Sequence, residues 1–273
     1  MKRALVFAVS VGGLVILIGS ALGAGPSPGV SFGSPGVVSH DGKVRYVALR
    51  AGTGTLVEAV ATRGGVVRRA RFLKNGEFGI PLVAYDNSTG GLSRNGRRLV
   101  VYEPATGRGS RFVVLDPKTL RVLRRVTLNG DFGFDALSPD GSLMYLIQLK
   151  SPPNGSGFAY DVRALDVDTG RLFPGAIVDR REPGEKMTGI PMTRVGSPDA
   201  RWAYTLYSKS SGGAFVHALH TTHREAFCID LPLRVPDEQL ARVRMRVGKN
   251  SLVLRFRGRK VAVIDTRTFE VRR

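Results

Sequence analysis

The sequence predicts an all-β chain folded as a β-propeller of about five four-stranded blades. Three observations predict it: a weak repeat of about 45–59 residues, turn signals at matching places in each unit, and apolar runs of strand length between them. Helical periodicity is almost absent, and only residues 235–243 could hold a turn or two.

The repeat rests on three markers. Asn75-Gly76-Glu77-Phe78-Gly79-Ile80 recurs 54 residues later as Asn129-Gly130-Asp131-Phe132-Gly133-Phe134, and residues 184–190 echo it. A second marker follows in each unit: Ser39-His40-Asp41-Gly42, Ser93-Arg94-Asn95-Gly96, Ser138-Pro139-Asp140-Gly141 and Ser197-Pro198-Asp199-Ala200. In such a turn Pro presets φ, Asp or Asn bonds the local backbone, and Gly accepts φ > 0. The third marker, in Leu115-Asp116-Pro117, Leu165-Asp166-Val167, Leu219-His220-Thr221 and Ile264-Asp265-Thr266, closes a later strand of the unit. Apolar runs at 99–102, 112–115, 143–149, 202–207, 215–219, 252–256 and 261–264 supply the strands, and Leu115, Leu146 and Leu219 occupy repeated core places within them.

Residues 114–122 and Leu137-Ser138-Pro139-Asp140-Gly141 through Leu146 resemble the recurring motifs of YVTN-type and TolB-like, WD-repeat-like propellers. The likeness covers most of residues 36–273 and implies an exported bacterial propeller. Those families are functionally diverse, so it implies little about chemistry. The last unit departs from the pattern, with Gly248-Lys249-Asn250 in place of the Pro-Asp-Gly turn, which leaves ring closure open.

Composition sets the address and the class of partner. Lys2 and Arg3 precede an apolar run over residues 4–24, and the small residues Ala21 and Gly23 favour cleavage near Gly23. Residues 1–23 are thus expected to be a signal peptide or an uncleaved membrane anchor, 24–35 a Gly/Ser/Pro linker, and 36–273 the propeller. Cys228 is the sole cysteine, so no intramolecular disulfide can form. The formal net charge is +19, with 32 Arg against 9 Lys, which attracts polyanions.

In the geometry the resemblance implies, Glu77, Asp131 and Glu185 ring one mouth of the central channel, where they hold a cation or stabilise their own turns. Asp86, Asp135 and Arg194 lie on inner strands and point into the same channel as ligand-binding groups or as solvated pore residues. His217, His220 and His223 recur every third residue, but on a strand the first two face opposite sides, so no metal site is expected. No Gly-x-Ser-x-Gly elbow and no phosphate-cradling or dinucleotide pattern is present, so neither catalytic residues nor a cofactor are assigned. Folding residues 242–257 about Lys249-Asn250 sets Arg244 opposite Arg255 and Arg242 opposite Arg257, a candidate anion-binding platform.

These features point to an exported, non-enzymatic binding or scaffold protein of the cell envelope. Its expected partner is an anionic polymer, a lipid head group or a protein, not nucleic acid in vivo. Membrane contact is expected only through the N-terminal segment, if that is retained. The alternative is a propeller hydrolase or lyase acting on an extracellular glycan, an option that Asp86 and Asp135 keep open.

Overall fold

The computed structural model describes residues 35–105, 109–150, 159–184, 187–209, 212–233 and 235–272. The expected leader, nearly all of the linker, and Glu185 lie outside the described residues. Five antiparallel sheets follow one another along the chain as a β-propeller. The first sheet holds β1 (Val37–Val38), β2 (Val44–Ala51), β3 (Gly54–Ala61) and β4 (Val67–Lys74). The second holds β5 (Leu99–Glu103), β6 (Ser110–Leu115) and β7 (Val122–Leu128), and the third β8 (Phe132–Leu137), β9 (Leu143–Lys150) and β10 (Ala159–Asp166). The fourth holds β11 (Ile190–Gly196), β12 (Trp202–Ser208), β13 (Ala214–His220) and β14 (Glu225–Leu231). After the one-turn helix α1 (Asp237–Leu240), the fifth holds β15 (Arg244–Val247), β16 (Ser251–Phe256), β17 (Arg259–Asp265) and β18 (Val271–Arg272).

Two sheets depart from the expected four strands. The third keeps only isolated bridges on its outer edge, Leu165 to Leu172, Val162 to Ile177 and Tyr160 to Met187. Pro174, Gly175, Pro183 and Gly184 interrupt that stretch and deny it a continuous ladder. In the second sheet the inner strand is split, Gly79 bridging Tyr102 and Leu92 bridging Leu99, because an inserted hairpin leaves between them.

The core follows from the two-residue period of strands. Leu99, Val101, Val113 and Leu115 pack against Val57 and Leu73 of the first sheet. The alternate side chains Val100, Tyr102, Phe112 and Val114 pack against Phe134, Met144 and Leu146 of the third. Tyr145 and Val162 then meet Ala203 and Leu219, while Leu206 and Val216 meet Leu252, Leu254 and Ile264. Sheets covered on both faces read as unbroken apolar runs, which is why β5 is buried at all five positions.

Each outermost sheet keeps one face that this packing does not use. Among the described residues no apolar cluster joins the fifth sheet to the first. The unused face of the first sheet carries Leu49, Phe72 and Val67, which are 45%, 43% and 49% exposed.

A hydroxyl ties consecutive sheets together at their leading motifs. Thr55 Oγ1 donates to the Gly76 carbonyl and accepts from the Phe78 N–H. Ser110 Oγ does the same for Gly130 and Phe132 one unit later. The Asn-Gly motifs are therefore the points where one blade is pinned to the next.

The four Ser-x-Asp/Asn turns share one hydrogen-bond pattern. In each, the serine hydroxyl donates to the Asp or Asn Oδ1, and it accepts from the N–H five residues on. The fourth position is left-handed throughout, at φ 70° for Gly42, 64° for Gly96, 75° for Gly141 and 58° for Ala200. An L-residue in that region costs about 1–2 kcal/mol, partly offset by the entropy a glycine loses on folding. Ala200→Gly is therefore expected to raise the unfolding free energy by about 0.5–1 kcal/mol. Gly141→Ala should lower it, because the new Cβ would lie 2.6 Å from Arg98 Cγ. Equal denaturant midpoints for Ala200→Gly and the parent would contradict this.

Candidate functional site

The leading motifs of the second and third units are 54 residues apart, yet their Ser-x-Asp/Asn turns are only 45 apart. The nine-residue surplus is the inserted hairpin. It closes through Val83 N–H to the Ser88 carbonyl (2.8 Å) and Gly90 N–H to the Pro81 carbonyl (2.9 Å). Its tip crosses to the fourth sheet, where the Tyr85 and Asp86 N–H groups donate to the Pro191 and Met192 carbonyls at 2.9 and 3.1 Å. Thr89 Oγ1 donates to the Gly36 carbonyl of the first unit. The fit against the third sheet is close: a Cβ on Gly90 would sit 2.7 Å from the Phe134 ring.

This placement corrects one expectation. Asp86 is at the tip of the insert and not on an inner strand, and its carboxylate accepts from Ser88 N–H and Oγ. The split of the inner strand, legible only as surplus length, moved it there.

Asp135 and Arg194 do come together as inner-strand groups. Asp135 sits at a bulge of β8, between the register pairs Phe134–Leu146 and Ala136–Tyr145. Bulges re-aim a side chain out of strict alternation, and here the carboxylate meets Arg194 of β11, Nη1 to Oδ1 at 2.5 Å. The pair is buried, at 5% and 9% side-chain exposure. Among the described residues Asp135 Oδ2 finds no hydrogen-bond donor.

Beside this pair lies a void of about 320 Å³ between the insert, the inner strands of the third and fourth sheets and their turns. Val83, Leu92, Phe134, Val195 and Trp202 form its apolar wall, and His40 and Arg94 are also on its lining. Burial and then the Arg94 charge hold the His40 imidazole below its ordinary pKa.

Behind the pair is a buried aromatic group. Tyr207 stacks on Phe215 and Tyr160 at 5.1 and 6.1 Å and meets the His217 ring edge-on at 6.2 Å. His217 is 2% exposed, its Nε2 has no hydrogen-bond partner among the described residues, and burial pushes its pKa down to about 4. His220 and His223 stack on each other with ring centroids 4.1 Å apart. Cys228, half-buried, donates its N–H to Asp179 Oδ2, a carboxylate also held by Arg181. Sequence reasoning missed Asp179, whose only signal was a carboxylate next to two arginines.

Glu77 is exposed and pairs with Arg50 at 3.0 Å, Asp131 is exposed beside β8, and Glu185 lies outside the described residues. No group of three His, Cys, Asp or Glu side chains among the described residues is placed to hold a metal ion. Asp135 is salt-bridged to Arg194, and Asp86 caps its own turn.

The last hairpin pairs in the expected register over Arg244–Arg255, Met245–Leu254 and Val247–Leu252. Arg242 and Arg257 do not join it. The turn of α1 runs on, Arg242 and Val243 donating to the Gln239 and Leu240 carbonyls, and Arg257 takes φ 50° in the next turn. The β16–β17 ladder instead adds Lys260 opposite Arg255, while Arg246, Val253, Val263 and Arg272 form the neighbouring row. Met245, Leu252 and Ile264 turn to the core, so the cations share the unused outer face. Among the described residues, no carboxylate is within ion-pair reach of Arg244, Arg246, Arg255 or Lys260. Among the described residues no helix is long and apolar enough to cross a membrane.

No family model matches the chain, and no curated protein matches its sequence. Among solved structures, BamB from Moraxella catarrhalis is similar with a TM-score of 0.45 at 15% identity, over 82% of this chain and 62% of that one. TolB from Acinetobacter baumannii gives 0.42 at 17% identity, over 83% and 51%. Hydrazine synthase from Kuenenia stuttgartiensis gives 0.44 at 14% identity, over 92% and 80%. The chain thus spans less than two thirds of the BamB and TolB chains.

Proposed function

We propose that this chain is an exported, non-enzymatic binding propeller of the cell envelope that recognises an anionic polymer on the outer face of its last sheet. The observation that carries the reading is the Arg244–Arg255–Lys260 row, three like charges opposite one another across three strands. Like charges directly opposite destabilise a sheet, and an anion laid along the row offsets that cost. Guanidinium groups add bidentate recognition of carboxylate or phosphate. Export is supported by Lys2, Arg3 and the apolar run that follows.

Replacing Arg244, Arg246, Arg255 and Lys260 with Gln is expected to leave the fold intact and weaken binding to heparin and polyphosphate. The slope of log K against log salt should become shallower, by up to about 0.9 for each polymer charge that the variant no longer neutralises. Unchanged affinity and slope in the quadruple variant would reduce the row to a solvated surface. A second reading, a protein partner, is favoured by the exposed Leu49, Val67 and Phe72 on the first sheet. Binding through that face would persist at high salt, where binding through the cationic row would not.

A further inference from the structure

The void beside Asp135 and Arg194 has features that the cationic outer face does not explain. Arg194 commits Nη1 to Asp135. Among the described residues its Nε and Nη2 have no acceptor, and neither is among the buried unpaired atoms. Since Arg194 lines the void, those two donors open onto it. They form the side-on edge of the guanidinium, the fork that matches the two oxygens of a carboxylate. The Asp135 bond fixes the plane of that fork before any ligand arrives, which lowers the ordering cost of binding.

The surroundings define what the fork would hold. The wall made by Val83, Leu92, Phe134, Val195 and Trp202 suits an apolar body, and about 320 Å³ is at the lower end of small-molecule pockets. Arg94 and Arg194 against Asp135 leave a net charge of one on the lining, with His40 neutral. One surplus positive charge balances a monoanion. A phosphate dianion would leave an unbalanced charge beside the Asp135 carboxylate at low local dielectric.

We propose that this void is a binding pocket for a small apolar monocarboxylate, an aromatic or short-chain organic acid, gripped by Arg194 and packed against Phe134. The site is separate from the cationic outer face, so the two readings stand or fall independently.

Trp202 is the sole tryptophan of the chain and lines the void, so its fluorescence reports occupancy directly. Titrating the full mature chain with benzoate should change that emission saturably, with Kd on the order of 1 mM. Benzyl alcohol, the uncharged probe of the same shape, and inorganic phosphate should bind roughly tenfold or more weakly. Arg194→Gln should lose benzoate binding. Because that change leaves Asp135 unpaired, the double variant Asp135→Asn, Arg194→Gln keeps a neutral hydrogen bond at the pair, and it should lose binding equally while retaining the parent's circular dichroism. The proposal is overturned if benzyl alcohol titrates as well as benzoate, if the folded double variant still binds benzoate, or if the parent shows no saturable change up to about 10 mM.

Discussion

Truncation of Leu115, Leu146 or Leu219 to alanine is expected to lower the unfolding free energy by about 2–5 kcal/mol each. All three side chains are fully buried, and they occupy three different inter-sheet layers. The loss is the transfer free energy of the removed atoms plus the cavity that the rigid sheets cannot close. Urea denaturation of the three variants, compared by midpoint at constant m, measures it. Losses under about 0.5 kcal/mol at all three would mean that the layers between sheets are not the stabilising core.

Acidification from pH 6.5 to 4 is expected to cost about 3 kcal/mol through His217 alone. The imidazole is held neutral in the fold, with a pKa of about 4 against the ordinary 6.5 of an unfolded chain. Between those values the unfolded state binds the proton and the native state does not, so stability rises with pH through the window and falls as pH drops. Burial is the main cause. The nearby Asp135 and Asp179 raise the His217 pKa and Arg194 lowers it, without overturning the burial effect. Below about 3.8 the turn carboxylates add to the loss, since the serine hydroxyls on Asp41 and Asp199 hold those carboxyls below their ordinary value. His217→Gln should flatten the stability profile between pH 4 and 6.5 whatever it does to absolute stability. A slope unchanged in that variant would show that the proton is taken up elsewhere.

The turns and the core were the most legible parts of the chain, because their causes are local. Ser138-Pro139-Asp140-Gly141 contains its own hydrogen-bonding groups and its left-handed residue, and the leucines declare themselves by burial at a two-residue period. The Arg244–Arg255 register was legible for the same reason: the short turn before Ser251 and the alternation of Met245 and Val247 leave one way to bury the apolar face. Its extension to Arg242 and Arg257 was not, since a helical turn on one side and a left-handed residue on the other end the ladder early.

For the site, Asp135 and Arg194 stood out as charges within apolar inner strands, while their partnership depended on how the third sheet sits against the fourth, and on a bulge. The nine surplus residues were countable, but nothing in them says that the hairpin turns inward and spans to β11. The sequence by itself determined the all-β class, the turn positions, the alternation that fills each layer, and the excess of positive charge. Tertiary structure alone decided that the insert spans to β11, that a void lined by Arg194 remains beside it, and that the last cationic row faces away from the core. Local signals act over a few residues, whereas these three depend on hydrogen bonds and packing between sheets tens to over a hundred residues apart in the chain.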